Sequence, residues 1–297
     1  MKTKTSNPNV LSRGFVYYTC CMFSWSCIID LAFFFEVVGI VKDVMRFYLE
    51  TGEPYFDTSF GALILLSDVL INYPLLLYII YQIDNKLDCR NAVMFWGGTA
   101  VTNLVCLIGG ALFGEYRHNM YPASFLNIPY TVIPVYVTCK FLLQPRNFEY
   151  QKARSNSRRP ILFSFFLAIG MIAVIMLGIV RGLAAFRFPA TFATYYATNV
   201  EPYVMDPAGF GAVWPMYFMF AGTFILVPML YGLFHKGTEW MIDWSFIFAG
   251  VAINGSYVQL AQFLPGVEGQ YHPPDAKLAL FINVFIPMLS LDCNHMR

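Results

Sequence analysis

About eight apolar stretches dominate this sequence, and each is long enough to cross the hydrocarbon core of a bilayer as a helix. A segment that lies in lipid must satisfy its own backbone hydrogen bonds, and a helix does this within a single segment. The stretches occupy residues 15–41, 59–81, 91–114, 122–143, 160–186, 208–234, 240–263 and 276–292. Hydrophobic residues make up 58% of the chain and charged residues only 12%, which is far from the composition of a water-soluble domain. The sequence therefore predicts an all-α, polytopic membrane protein with about eight transmembrane helices.

The basic residues are divided unevenly between the two sides of the predicted membrane protein. On one side they are outnumbered by acidic residues. The other side carries Lys2, Lys4, Arg13, Lys86, Arg90, Arg146, Lys152, Arg154, Arg158, Arg159 and Lys236. Because Lys and Arg accumulate in cytosolic loops, both chain termini are predicted to be cytosolic, including an N-terminal segment over residues 1–14.

The loop over residues 144–159 is the most basic of the chain. One interpretation of its charge is a topology signal alone. The alternative is contact with anionic lipid headgroups or with a partner, made by Arg154, Arg158 and Arg159. The loop is also the natural linker between two halves of the sequence.

The two halves share short motifs at matching places, which indicates an internal repeat. Glu53-Pro54-Tyr55 precedes Phe60-Gly61 in the first half, and Glu201-Pro202-Tyr203 precedes Phe210-Gly211 in the second. The third and seventh stretches likewise share a small-residue pattern around Gly98 and Gly250. The sequence thus predicts two four-helix bundles, over residues 15–143 and 160–297. They have the same orientation, since each has an even number of spans.

Two acidic residues lie near mid-depth in the first two predicted spans. A charge there is costly, so Asp30 and Asp68 are expected to face the bundle interior and a partner. Asn72 follows Asp68 by four residues, which places both on one helix face, and Pro74 is expected to kink that helix. If the two carboxyls meet, one is expected to be protonated or a cation to lie between them. Such residues form either the floor of a binding pocket or hydrogen bonds that hold the bundle together.

Other polar residues were assigned as candidate contacts to a lipid or a partner. Glu36 lies nearer the interface, where it either joins the pocket or reaches toward water. Arg181 in the fifth span is expected to pair with a carboxylate or a lipid phosphate. The Glu-Pro-Tyr turns either fix the entry to the next span or contribute to the mouths of the bundles, through Glu53, Tyr55, Glu201 and Tyr203.

Several kinds of chemistry have no signature in the sequence. It has no Gly-rich phosphate-binding loop, no serine nucleophile motif and no metal-ligand spacing among its four histidines. The seven cysteines are predicted to be mainly buried thiols. A net charge of +1 gives no reason to expect a nucleic-acid partner. No catalytic residue, metal or cofactor is therefore predicted.

Taken together, the motifs resemble the EXPERA domain, a four-helix domain found in the emopamil-binding sterol isomerase, the sigma-2 receptor and the transmembrane 6 superfamily. The resemblance rests on Ile28-Ile29-Asp30-Leu31, the turn at Glu53, and the span with Asp68, Asn72 and Pro74. It continues through Phe125–Tyr130, Gln144-Pro145-Arg146, Arg181-Gly182-Leu183, Asp206-Pro207 and Asp243-Trp244. Two tandem copies point to the transmembrane 6 superfamily.

The resemblance implies an endoplasmic reticulum protein concerned with lipid export, lipid droplets or lipoprotein lipidation. We expect a non-enzymatic protein that binds sterol or phospholipid and supplies it to a partner such as a lipid-transfer protein. One alternative is an isomerase-like enzyme that uses Asp30, Glu36 and Asp68. Against it, the histidine of the isomerase site has no counterpart here. The position four residues after Asp68 is Asn72, and an asparagine cannot shuttle a proton. The other alternative is a structural subunit of a larger complex.

Overall fold

A computed structural model describes residues 10–146, 161–235, 238 and 240–261 of the chain. These residues form helices joined by short connections, and no strand occurs among them. The predicted all-α, polytopic architecture is confirmed. The eighth predicted span, over residues 276–292, lies outside the described residues, as do Arg154, Arg158 and Arg159 of the basic linker.

The helices follow the apolar stretches of the sequence closely. They are α1 (Val10–Val37), α2 (Arg46–Thr51), α3 (Ser59–Ser67), α4 (Tyr73–Asp84), α5 (Arg90–Phe113), α6 (Asn127–Leu142), α7 (Ile161–Ala185), α8 (Thr191–Tyr195), α9 (Phe210–Phe234) and α10 (Met241–Leu260). A π-helical turn joins α3 to α4, and a second one follows α8; they span Asp68–Asn72 and Tyr196–Val200. Short 3-10 turns cover Pro54–Phe56, Glu115–Asn119, Pro122–Leu126 and Pro202–Met205.

Six helical segments are long and apolar enough to cross a membrane. They are Gly14–Val37, Ser59–Asp84, Arg90–Phe113, Pro122–Leu142, Leu162–Ala185 and Phe210–Phe234, and they match the first six predicted spans. The seventh prediction corresponds to α10, a helix of 20 residues. Several membrane-crossing helices in one chain establish a multi-pass membrane protein.

Helix α5 lies at the centre of the molecule. Within its most apolar window 67% of the residues are buried, against 39% or less for the other five spans. It packs on α4 and α6 from its own half and on α9 and α10 from the second half. The aromatic rings of Phe60 and Phe210, which are equivalent in the sequence repeat, meet at 4.8 Å between their centres. The two halves therefore share one core.

The two halves approach each other closely where α5 crosses α10. A Cβ atom added to Gly98 would lie 3.2 Å from the Cα of Gly250 and closer still to the carbonyl oxygen of Ile247. A Cβ on Gly250 would lie 2.7 Å from the backbone nitrogen of Thr99. Only glycine permits this backbone contact, and the same role of small residues is common between membrane helices. The two glycines occupy equivalent positions in the repeat.

Buried charges also join the halves, at the side predicted to be cytosolic. Asp243 at the start of α10 accepts two hydrogen bonds from Arg90, of 2.9 and 2.8 Å, and another from Arg146. Arg90 also donates to the carbonyl oxygen of Gln144, at 2.7 Å. If the halves moved apart, these charges would stay buried without their partners, which is unfavourable. The cluster therefore fixes the relative position of the two halves.

The two Glu-Pro-Tyr turns adopt the same backbone conformation. Glu53 has φ −138° and ψ 72°, and Glu201 has φ −138° and ψ 71°. In both, proline occupies the first position of a 3-10 turn, where its missing N–H costs no helical hydrogen bond. Each turn leads into the next long helix, so the sequence repeat at these turns is also a structural one.

Candidate ligand cavity in the first half

A cavity of about 410 Å³ lies inside the first half, between α1, the α3–α4 span, α5 and the beginning of α6. Its volume falls within the range of small-molecule sites, roughly 300–1,000 Å³. Most of its wall is apolar: Phe23, Cys27, Ile29, Phe33, Phe56, Ile64, Leu76, Trp96, Ala100, Leu104, Leu107 and Leu126. A few polar side chains converge on it: Ser26, Asp30, Tyr48, Glu53, Asp68, Asn72, Asn103, Asn127 and Tyr130. Apolar walls with a few placed polar groups are typical of ligand sites.

Asp68 begins the π-helical turn and is held by two amides. Asn72 donates to its Oδ1 from within the same turn, and Asn103 on α5 donates to the same atom at 3.1 Å. Pro74 follows the turn and has no backbone N–H to donate, which disrupts the regular helical ladder here. The widened turn brings Asp68 and Asn72 onto the cavity wall together, and π-helical turns of this kind often occur at functional sites.

Asp30 on α1 lines the same cavity but is not held in this way. Its partly exposed carboxylate accepts no hydrogen bond from the described part of the chain, whereas Asp68 accepts two. A carboxylate in an apolar wall is costly unless something donates to it. The cavity thus contains one acid that the protein already satisfies and one whose oxygen atoms face the cavity without a partner in this region.

Glu53 closes one end of the cavity with a cluster of hydrogen bonds. Tyr48 donates to its Oε2 at 2.6 Å, and Tyr55 and Asn127 both donate to its Oε1. Burial, together with the Glu53 carboxylate, raises the pKa of both the Tyr48 and the Tyr55 phenols, so they remain donors near neutral pH. The cluster ties the beginning of α6 to the Glu-Pro-Tyr turn.

Two of the wall residues also face the outside of the protein. Ile29 on α1 is 38% exposed, and Leu126 at the beginning of α6 is 61% exposed. Both belong to membrane-crossing segments, so their outer sides face lipid. Of the residues that line the cavity, these two are the exposed ones, one on α1 and one just before α6.

The structure brings four of the predicted contact residues to this cavity and places the other described ones elsewhere. Asp30, Glu53, Asp68 and Asn72 line it, and Tyr55 lies behind Glu53 as its hydrogen-bond donor.

Glu36 does not line the cavity, although it was assigned to a pocket or to the interface. Its carboxylate accepts the backbone N–H groups of Asp43 at 2.9 Å and Val44 at 3.0 Å, and Arg46 lies 3.6 Å away. It therefore fastens the turn that follows α1, because it satisfies backbone donors that the turn leaves free.

The predicted contact residues of the second half form a different arrangement. Arg181 donates to Glu201 through two hydrogen bonds, of 2.9 and 2.7 Å, and both side chains are almost completely buried. Arg181 thus takes the carboxylate, which is one of the two kinds of partner expected from the sequence. Tyr203 is buried in the shared core beside this pair.

The alignment of the two halves shows which residues of the second half replace Asp68 and Asn72 of the cavity wall. When Phe60-Gly61 is aligned with Phe210-Gly211, Phe218 stands at the position of Asp68 and Gly222 at that of Asn72. Phe218 is buried, with its ring 5.1 Å from that of Trp214 and 6.1 Å from that of Phe248. Aromatic side chains occupy in the second half the place of the polar cavity wall in the first.

Sequence reasoning missed several polar groups of the site. Asn103 lies four residues after Thr99, so both lie on one face of α5, and this spacing was a usable signal. Nothing in the sequence indicated a role for Asn254, yet it donates a hydrogen bond to the carbonyl oxygen of Thr99. Its contact spans the two halves, and no local pattern reports it. The region that the structure describes contains no group of three or more His, Cys, Asp or Glu side chains arranged to hold a metal ion.

The fold and the cavity define the class: a polytopic α-helical membrane protein with a partly polar cavity inside its bilayer-crossing helices. The family model described as "Transmembrane 6 superfamily member 2-like, transmembrane domain" matches residues 3–152, half of the chain. The chain belongs to this family, as the sequence motifs predicted.

Similar curated proteins carry the same family name. Transmembrane 6 superfamily member 2 of Homo sapiens is 28% identical over 243 residues, and that of Mus musculus is 26% identical over the same length. The protein from Rattus norvegicus is 25% identical over 241 residues. In each case the match covers 79% of this chain and 64% of the relative, so the chain spans slightly less than two thirds of these proteins. No solved structure matches the chain.

Proposed function

We propose that this protein binds one membrane lipid, a sterol or a phospholipid, in the cavity of its first half and supplies it to a partner without changing it chemically. The observation that carries the proposal is the cavity itself. It has apolar walls, a carboxylate without a protein donor in the described region, and two exposed wall residues, Ile29 and Leu126, in segments apolar enough to cross a membrane. We infer that it opens toward lipid between these two residues, an opening that a water-soluble ligand does not need.

The polar groups favour a lipid with a hydrogen-bond donor. A sterol hydroxyl or a phospholipid ammonium group can donate to Asp30, which relieves the cost of a carboxylate in an apolar wall. The rings or acyl chains then cover the wall around Phe33, Leu104 and Leu107. Burial of this apolar surface supplies affinity at roughly 25 cal/mol per Å². A lipid that is longer than the cavity extends out of it between Ile29 and Leu126.

Delivery to a partner follows from the absence of an energy source in the sequence. Without a nucleotide-binding motif, a protein of this kind equilibrates a lipid between its cavity and the bilayer, and directional flux needs an acceptor. A lipid-transfer protein, or a component of lipoprotein or lipid-droplet assembly, would serve as acceptor at the endoplasmic reticulum membrane. With both termini cytosolic, the basic linker 144–159 faces the cytosol and offers the contact.

The placement of Glu36 counts against the isomerase-like alternative. Of the three acids that such an enzyme was expected to use, only Asp30 and Asp68 share the cavity. Glu36 is occupied by backbone donors of the turn after α1. Incubation of the purified protein with a Δ8-sterol, followed by analysis of the product, tests this alternative directly, and we expect no conversion.

The test of the proposal is lipid mass spectrometry on the gently purified full chain. We compare the wild type with the double variant Asp30→Ala, Asp68→Ala. The control is the double variant Glu50→Ala, Asp84→Ala, which removes two exposed acids away from the cavity. We expect one lipid class to be enriched over bulk membrane lipid in the wild type and the control, and to fall by about tenfold in the cavity variant, since two polar contacts are lost. The same lipid profile in all three proteins would contradict the proposal.

A further inference from the structure

A chain of hydrogen bonds leads from the second half of the molecule to the cavity of the first half. Asn254 on α10 donates to the carbonyl oxygen of Thr99 on α5. The Thr99 hydroxyl lies 2.8 Å from the Oδ1 of Asn72 and 2.9 Å from the carbonyl oxygen of Trp96, so these two acceptors share its one proton. Asn72 in turn donates to Asp68. Each group is buried or lines the cavity, so these bonds have little competition from water.

The orientation of Asn72 depends on this chain. An amide side chain presents an acceptor at one end and donors at the other. Because the Thr99 hydroxyl occupies the acceptor end of Asn72, its donor end is directed at Asp68. The position of Thr99 is in turn set by the backbone contact with Gly250 and by the donor on Asn254.

Asn254 itself is an unusual residue to find at such an interface. It is 2% exposed, and its Oδ1 accepts no hydrogen bond in the described part of the chain. A buried polar atom without a partner is unfavourable, so packing alone favours an apolar residue at this position. The useful part of the side chain is the amide nitrogen that reaches Thr99.

We propose that Asn254 is a positioning residue for the lipid cavity: through Thr99 and Asn72 it fixes the orientation of Asp68, so that the second half sets the affinity of a cavity that belongs to the first. This inference rests on the proposed function of the cavity. It gives the second half a role in binding although its own equivalents of Asp68 and Asn72 are Phe218 and Gly222.

The experiment measures lipid capture by the purified full chain in nanodiscs. The probes are a photoreactive cholesterol and a photoreactive phosphatidylethanolamine, each titrated to obtain an apparent affinity. The variants are Asn254→Ala, Asn72→Ala and the combination of the two. The matched control is Ser256→Ala, which lies two residues away on α10 and is equally buried. Within the described part of the chain its hydroxyl donates only to the carbonyl oxygen of Ala252 on its own helix.

For the probe that the wild type captures, we expect Asn254→Ala to weaken capture about threefold to fivefold and Asn72→Ala about tenfold. The combined variant is expected to be no weaker than Asn72→Ala, because residues in one network are not additive. Ser256→Ala is expected to bind like the wild type. Thermal unfolding of the same four proteins reports the coupling between Asn254 and Asn72 without any lipid, and we expect it to be non-additive as well.

Two results would overturn the inference while leaving the proposed function intact. The first is wild-type capture by Asn254→Ala while the double variant Asp30→Ala, Asp68→Ala has lost it. The second is strict additivity of Asn254→Ala and Asn72→Ala in both capture and unfolding. A wild type that captures neither probe more than the Asp30, Asp68 double variant would overturn the proposed function, and the inference with it.

Discussion

The two halves of the molecule repeat one sequence pattern but use it for different physical purposes. In the first half the buried polar groups of the second span, Asp68 and Asn72, face a cavity of about 410 Å³. In the second half the same positions are Phe218 and Gly222, and Arg181 and Glu201 form a closed, buried ion pair. Among the described residues, the two halves thus keep matching turns, while the polar cavity wall of the first half is replaced by Phe218 and Gly222 in the second.

The difference is sharpest at the glutamates of the two turns. Glu53 and Glu201 have the same backbone conformation, yet their partners differ in charge. Glu53 accepts from neutral groups at the edge of the cavity, Tyr48, Tyr55 and Asn127, whereas Glu201 is neutralised by Arg181. Neutral donors can exchange with those of a ligand at modest cost, but a buried ion pair cannot open without exposing a charge to a medium of low dielectric.

The largest effect is expected from Arg181→Ala. The substitution leaves Glu201 buried without its partner, so it should destabilise the protein by about 3–5 kcal/mol, as for other broken buried pairs. Thermal unfolding in detergent or nanodiscs measures the loss. The matched variant Arg181→Met, Glu201→Gln removes both charges and should recover most of the stability. Equal losses in the single and the paired variants would show that the ion pair is not what holds the second half together.

A smaller effect is expected from Gly250→Ala at the crossing of α5 and α10. The added methyl group would press on the backbone of Phe95 and Thr99, and overpacking of this kind costs about 1–3 kcal/mol. Because Thr99 also contacts Asn72, lipid retention should fall together with the unfolding temperature.

The control for this substitution is Gly170→Ala on α7, where a new Cβ meets no atom within 4 Å. It should leave lipid retention unchanged and should not lower the unfolding temperature, since alanine is the better helix former. If Gly250→Ala behaves like Gly170→Ala, the close contact between the halves does not matter for the cavity.

The smallest effect concerns the acid that follows each turn, Asp57 in the first half and Asp206 in the second. Asp57 accepts a hydrogen bond of 2.7 Å from Arg46, whereas burial and the nearby Glu115 raise the pKa of Asp206 despite the N–H of Ala208. A raised carboxyl pKa in the folded state means that stability falls as pH rises from the unfolded pKa through the folded one. Asp206→Asn should therefore raise the unfolding temperature at pH 7 by about 1 °C and have less effect near pH 4.

The corresponding Asp57→Asn variant should have the opposite sign, because it removes the partner of Arg46. Unfolding temperatures of both variants at pH 4 and pH 7 measure the contrast. A lower unfolding temperature for Asp206→Asn at pH 7 would show that the carboxylate has a stabilising partner that its surroundings do not suggest.

Hydropathy predicted the helical architecture because lipid imposes a length and a composition on every span. The mid-depth positions of Asp30 and Asp68 likewise predicted that they face one interior. The partners of Glu36 could not be predicted in this way, nor which of its two expected partners Arg181 takes, since both depend on how each helix is rotated. The same holds for Asn103, Asn127 and Asn254, whose hydrogen bonds join segments that are far apart in the chain.

The most direct test of the comparison is to map where a captured lipid lies. The wild-type chain in nanodiscs is labelled with photoreactive cholesterol or phosphatidylethanolamine, with and without an excess of the same lipid lacking the photoreactive group, and the modified peptides are identified by mass spectrometry. Our account predicts that the adducts which disappear under competition lie around Asp30 on α1 and Asn127–Tyr130 on α6. It would be contradicted if competed adducts fell on α7 and α9 of the second half, or if no adduct were sensitive to competition.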